Sequence, residues 1–183
     1  NLQLINFNMN MGEFIMASLA NKHGGGSKTN INGLHFEQTT SLNDALINKG
    51  YTIKNGYDVY KDNKKIGISA PKRNLYKKIL EPRGINFGSI ISKQLLPDDA
   101  FYNLNDNTIY ILEKKFQNSH GSVDEKLQTC GFKKWEYEKL FSPINIKVEY
   151  IYILNDWFKQ SKYHDTLDYI NLQNCHYYFN EIP

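Results

Sequence analysis

Cysteine is scarce in this chain. Cys130 and Cys175 are the two in 183 residues. They stand far apart with no paired spacing, which removes the zinc-ribbon and disulfide-scaffold classes and suits reduced, half-buried thiols in a cytoplasmic protein. Long apolar runs are missing too. Apolar residues make up 40% of the sequence without any stretch as long as a membrane span, so a soluble globular protein with no membrane partner is expected. The first residues lack the basic-then-apolar pattern of a secretory leader, and the chain starts at Asn1 rather than Met, which leaves processing at that end open. No Gly-x-Ser-x-Gly elbow is present for Ser–His–Asp chemistry. His35 and His120 have neither an H-N-H pattern nor a cysteine pair around them and read as loop or surface histidines. Charge of one sign is lacking as well: 22 Lys and Arg face 19 Asp and Glu, a net of +3, which permits a nucleic-acid partner without arguing for one. Repeats and low-complexity segments are absent, and the length suits one domain, 1–183, with a real core.

What the chain does have is basic residues in a patterned distribution. Lys72, Arg73, Lys77, Lys78, Arg83 and Lys93 fall within one short stretch, joined by Lys114, Lys115, Lys126, Lys133 and Lys134, and the combination points to a phosphate-facing surface. The 13 Tyr and 10 Phe read mostly as core and strand residues.

An irregular apolar pattern from Leu4 to Leu19 predicts a helix. Asn21 to Asn32 is a breaker-rich loop whose Gly24-Gly25-Gly26-Ser27-Lys28 lacks phosphate-loop spacing and has no apolar strand before it, so it reads as a hinge or a DNA-approaching loop. A helix over 34–47, interrupted near Ser41, ends at Gly50. Tyr51 to Ile68, with Asn55-Gly56 and Asp62-Asn63 as turns, predicts two or three strands in a small meander. Lys72 to Leu80 reads as a helix stopped by Pro82 and Gly84. Ile85 to Leu96 is ambiguous, with a strand near its end leading into Pro97-Asp98. Ser122 with Glu125 three residues on is a capping-box signature. It predicts a helix that turns Val123, Leu127 and Cys130 inward and continues, bent at Gly131, to Leu140, with Pro143 closing it. Ile144 to Leu154 is apolar on both faces and predicts a central strand. Asn155 to Leu172 reads as a last helix and His176 to Ile182 as a final strand. The sum is an α/β core with a hairpin flanked by helices.

That hairpin carries the chemistry. Leu95-Leu96-Pro97-Asp98-Asp99 heads one apolar segment, and Ile109-Tyr110-Ile111-Leu112-Glu113-Lys114-Lys115 ends the next. Asn105-Asp106-Asn107 between them reads as a tight turn, because Asn and Asp tolerate left-handed backbone. Folding it brings Asp98 or Asp99 beside Glu113 and Lys115. Glu113 and Lys115 are two apart and share a strand face. Strand parity groups Asp98 with Ala100 and Tyr102, and Asp99 with Phe101 and Asn103, and either set can face inward. Acidic oxygens hold Mg²⁺ and a lysine beside them stabilises a phosphate or orients a water, so the group suits metal-assisted hydrolysis of a phosphodiester. Gln117 continues the Glu113–Lys115 face.

Pro97-Asp98 and Glu113-Lys114-Lys115 resemble the PD-(D/E)xK motif of the nuclease superfamily that includes most type II restriction endonucleases. Glu37, in Phe36-Glu37-Gln38, is similar to the extra acidic residue such enzymes place on the helix before the sheet. The resemblance covers roughly Glu37 to Leu154, with 51–83 as an insertion. It implies a restriction-endonuclease-like core, a central mixed β-sheet flanked by helices. It also implies a Mg²⁺-dependent enzyme, with Mn²⁺ substituting, that cuts double-stranded DNA at a specific sequence and leaves 5′-phosphate and 3′-hydroxyl ends. On this reading Asp98 or Asp99, Glu113 and Glu37 hold metal, Lys115 positions or deprotonates the attacking water, and Gln117, Lys126, Lys28, Lys72 and Arg73 contact DNA. The motif's letters favour Asp98. A two-fold protein matches a palindromic site, so a homodimer is expected, together with a cognate DNA methyltransferase in the host. The rival readings are a structure-specific nuclease, resolvase- or repair-like, and a non-catalytic DNA-binding module.

Overall fold

Turn chemistry builds the first half of the sheet. The structure, a computed structural model, describes residues 33–36 and 40–183. The helix expected over Leu4–Leu19, the Asn21–Asn32 loop with Lys28, and Glu37 lie outside the described residues. Strands β1 (Thr52–Lys54), β2 (Asp58–Lys61) and β3 (Lys64–Ser69) form the expected antiparallel meander. Asn55 and Gly56 reverse the chain once and Asp62 and Asn63 reverse it again, all four at positive φ, the backbone that matches the twist of the flanking strands.

β4 (Asp99–Asn103) and β5 (Thr108–Lys115) form the next hairpin, and β3 pairs with β4 through Gly67 opposite Asn103 and Ser69 opposite Phe101. The 51–83 stretch therefore supplies the first three strands of the same sheet. β6 (Lys147–Leu154) runs parallel to β5, and β7 (His176–Phe179) runs parallel to β6. The molecule is an α/β protein whose seven-stranded mixed sheet, in the order β1 to β7, packs against helices.

Among the described residues, besides a helical piece over 33–36, the helices are α1 (Leu42–Asn48), α2 (Val123–Leu127), α3 (Cys130–Phe141) and α4 (His164–Leu172). Ser41 interrupts the first helical region as expected, its hydroxyl accepting from the Asp44 amide at 3.4 Å. Period-two alternation sorts the strand residues between two faces. Ile109, Ile111, Tyr150 and Tyr152 meet α3, α4 and a single π-helical turn, Leu75–Leu80, in the larger core. Leu112, Ile151 and Ile153 face the other way with Phe36, as do Val59 and Phe101 with Leu42 of α1. Among the described residues no helix is long and apolar enough to cross a membrane.

Four local expectations change. No strand forms over 85–96; the segment holds a 3₁₀ turn, Phe87–Ser89, and irregular chain. Side chains satisfy its backbone in place of a ladder: Asn86 accepts from the Gly88 amide at 3.1 Å, and the Tyr76 hydroxyl accepts from the Leu95 amide at 2.9 Å while donating to the Leu95 carbonyl at 2.6 Å. Ser122 precedes α2 without a capping hydrogen bond from its side chain. The break between α2 and α3 falls at Gln128-Thr129, where the Thr129 hydroxyl donates to the Lys126 carbonyl at 2.7 Å. The stretch 155–172 opens with two 3₁₀ turns, because Gln160 is extended (ψ 144°), and only α4 is α-helical.

Candidate active site

The site grows out of the β4–β5 hairpin. At its turn, Asp106 accepts from the Thr108 amide and Asn103 from the Asn105 amide, each at 3.0 Å, and Asn107 takes a φ of 54°. These local bonds fix a register with Asp99 opposite Leu112 and Asn103 opposite Thr108, so the start of β4 lies beside the end of β5. Glu113 and Lys115 continue the face of Ile109 and Ile111, with Tyr152 of β6 alongside Glu113. Asp98, one residue before β4, turns to the same face. Its Oδ2 accepts from the Lys114 amide at 2.8 Å, and the Lys115 ammonium stands 3.9 Å from that oxygen and 2.9 Å from Glu113 Oε2. Lys115 also donates to the Lys114 carbonyl at 3.1 Å.

Asp99 goes elsewhere. It pairs with the Lys114 ammonium at 2.7 Å on the opposite face, where both side chains are largely buried. Of the two adjacent aspartates, the structure thus places Asp98 with Glu113 and Lys115, the grouping that parity had left open.

Two further lysines enter. Lys133 of α3 reaches to 3.8 Å from Glu113 Oε2, and Lys72, in the loop after β3, ion-pairs with Asp98 Oδ1. Among the described residues three ammonium groups therefore face two carboxylates, one positive charge in excess. Burial pushes the Asp98 carboxyl upward, but the ammonium of Lys72, the Lys114 amide and the charge of Lys115 outweigh it, and Asp98 lies below the ordinary carboxylate range. Burial lowers Lys133, with Glu113 opposing and Lys115 adding to the drop. Burial raises Tyr137, helped by the charge of Glu113, so the wall of the site stays neutral. On the far face burial raises Asp99 despite Lys114.

The surroundings hold these groups in place. Tyr76, on the π-helical turn, clamps both backbone groups of Leu95, and the Lys72 amide donates to the Pro97 carbonyl at 2.9 Å, so the segment before Asp98 is held at two points. After β5, the Asn155 side chain accepts from the Gln117 amide at 3.1 Å and donates to its carbonyl at 2.8 Å. Gln117 is buried and spends its side-chain amide on the Ser119 and Gly121 carbonyls; it shapes the loop after the site. Arg73 and Lys126 are exposed. Sequence reasoning placed Lys133 on a phosphate-facing surface but gave none of Lys133, Tyr76 and Asn155 a place beside the acidic pair. No apolar period in α3 marked Lys133, because the helix buries Glu136 and exposes Phe132 and Trp135.

Among the described residues the candidate donors to a metal are oxygens: the Asp98 and Glu113 carboxylates and the Lys114 carbonyl. Among the described residues no three His, Cys, Asp or Glu side chains form a metal cage. Such a sparse, hard donor set fits Mg²⁺, which uses one or two carboxylates and keeps its waters, and does not fit zinc. Comparison with known protein families, with curated proteins and with solved structures finds no match. The class defined by the fold is an α/β protein with a mixed sheet, and its acidic–basic cluster lies at the carboxyl end of the parallel strands β5 and β6, the end where open α/β sheets place their ligands.

Proposed function

We propose that this protein is a Mg²⁺-dependent endonuclease of the PD-(D/E)xK type that hydrolyses double-stranded DNA at a specific sequence as a homodimer, as type II restriction endonucleases do. The observation that carries the reading is the meeting of Asp98, Glu113 and Lys115 at one end of the β4–β5 hairpin, with basic residues around it. On this reading Asp98, Glu113 and the Lys114 carbonyl hold the metal, which supplies Lewis-acid polarisation of the scissile phosphate. Lys115 orients the attacking water and offsets negative charge that develops on the phosphate oxygens. Lys133 faces the same space from α3, 3.8 Å from Glu113, and its ammonium is placed to offset charge on the phosphate as well. Tyr76 and Asn155 position the chain segments that carry these groups.

The test is plasmid cleavage with Mg²⁺ against chelator, using wild type, Asp98→Asn, Glu113→Gln and Lys115→Met. Discrete bands from wild type and a loss of about 100-fold or more in each variant, with duplex binding kept, are expected. Wild type that cuts nothing in Mg²⁺ overturns the reading. One observation favours a structure-specific nuclease as a second reading: Phe132 and Trp135 stand exposed on α3 with ring centroids 5.7 Å apart and the Lys139 ammonium 4.6 Å from the Trp135 ring, and exposed aromatics next to cations suit unpaired bases. Cleavage confined to branched or nicked oligonucleotides is its signature.

A further inference from the structure

Lys72 stands apart from the other two lysines of the cluster. Its side chain is 56% exposed, against 15% for Lys115 and 29% for Lys133. Its backbone adopts a φ of 51°, a left-handed conformation that lysine seldom takes and that marks a functional position when the surroundings enforce it. What holds it here is the hydrogen bond that the Lys72 amide donates to the carbonyl of Pro97, the residue just before Asp98. The four-carbon stem beyond that anchor reaches Asp98 Oδ1 from the solvent side. Lys72 is therefore a tethered cation: its backbone is held, its side chain is more than half exposed, and its ammonium pairs with Asp98.

The tip occupies an oxygen that a metal needs. Asp98 Oδ2 is already committed to the Lys114 amide, and Glu113 Oε2 has Lys115 and Lys133 around it. With one positive charge in excess among the described groups of the cluster, a dication meets repulsion as well as a competitor for Oδ1. A DNA backbone changes both conditions at once, because its phosphates draw an exposed ammonium outward and bring negative charge to the cluster.

We propose that Lys72 is an exchangeable counterion that couples the two ligands of this site: it guards Asp98 until a phosphate backbone takes it over, so polyanion and divalent cation bind with positive cooperativity. The inference rests on the nuclease reading and extends it to the order of assembly. Lys72 is a positioning residue in this scheme, and its effect is read in binding rather than in turnover.

The test measures Mn²⁺ binding to the DNA-free protein by electron paramagnetic resonance, for wild type, Lys72→Met, Lys72→Asn and Glu113→Gln. The asparagine variant tolerates the left-handed backbone and guards against a folding artefact. Both Lys72 variants are expected to bind Mn²⁺ about tenfold more tightly than wild type, within the ordinary range of coupling between sites, and Glu113→Gln is expected to lose the ion. Coupling is reciprocal. Ca²⁺ is therefore expected to tighten duplex binding by wild type about tenfold, and by Lys72→Met by less than about twofold, in fluorescence anisotropy. If both Lys72 variants bind Mn²⁺ no more tightly than wild type while Glu113→Gln still loses it, the counterion proposal falls and the nuclease site stands. If Glu113→Gln binds Mn²⁺ as wild type does, or if none of the proteins binds it with or without duplex, the site itself is misassigned and the proposal falls with it.

Discussion

Asp98 and Asp99 are chemically identical neighbours, and the sheet sends them to opposite faces with opposite electrostatic outcomes. Asp98 is held below the ordinary carboxylate range despite burial, because three lysines contribute to its surroundings. Folding favours its ionised form, so its contribution to stability is complete above the ordinary value of 3.8 and is lost as pH falls through the lower folded value. Urea unfolding at neutral pH is expected to find Asp98→Asn modestly less stable than wild type, and the difference is expected to close below about pH 4. Asp99 behaves the other way, since burial raises its carboxyl and whatever its titration contributes is lost as pH rises. Its value to the fold lies in the carboxylate that the buried Lys114 faces. Asp99→Asn is expected to cost about 3 kcal/mol in urea unfolding, while Asp99→Leu combined with Lys114→Met recovers most of that loss, as replacing both members of a buried pair usually does. A single Asp99→Asn that unfolds like wild type contradicts the account. The motif letters and the period of a strand brought both aspartates to notice. The choice between them lay in a sheet register that only the folded hairpin defines.

Elements differ in how far their neighbours in sequence explain them. The meander and the β4–β5 hairpin were legible because Asn, Asp and Gly at their turns decide the reversal locally. The 85–96 segment was not, since its path is set by Tyr76 reaching across 19 positions to Leu95. α3 misleads for another reason: it buries Glu136 and exposes Phe132 and Trp135, so its apolar period does not mark the face that delivers Lys133. The contact between β3 and β4 shows what binds the meander to the hairpin that carries the site. A Cβ built on Gly67 falls 2.5 Å from the Phe101 ring and 2.5 Å from the Tyr102 carbonyl oxygen, and backbone on that side has no room to withdraw. Gly67→Ala is expected to destabilise the protein by about 3 kcal/mol and to weaken Mg²⁺-dependent cleavage through displacement of β4. Gly131→Ala is the control: the nearest atoms to its Cβ all belong to the flexible Gln173 side chain, which can move aside, so a change under about 1 kcal/mol is expected. Equal unfolding midpoints for the two variants contradict this view of β3 and β4.

At the scale of the molecule, a net charge of +3 says little until the fold distributes it. The loop after β3 puts Lys72 on Asp98 with Arg73 next in the chain, the π-helical turn carries Lys77 beside Tyr76, which holds Leu95, and α3 adds Lys133 at the carboxyl end of β5. Lys64 lies at the other end of β3, toward the hairpin turn and away from Asp98, because β3 runs antiparallel to β4. If the end that bears the site is the one that meets DNA, removing a cation there releases one fewer counterion on binding, whereas removing one at the far end changes nothing. Glu113→Gln, expected to bind without cutting, is the background for this measurement. In it, the plot of log affinity for duplex against log salt is expected to lose about one unit of slope with Lys77→Ala, and affinity is expected to fall to a similar degree across unrelated sequences. Lys64→Ala is expected to leave both slope and affinity unchanged. Equal slopes for Lys77→Ala and its parent, or a loss with Lys64→Ala alone, place the phosphate backbone away from Asp98 and Glu113 and sever the basic surface from the acidic pair it is argued to serve.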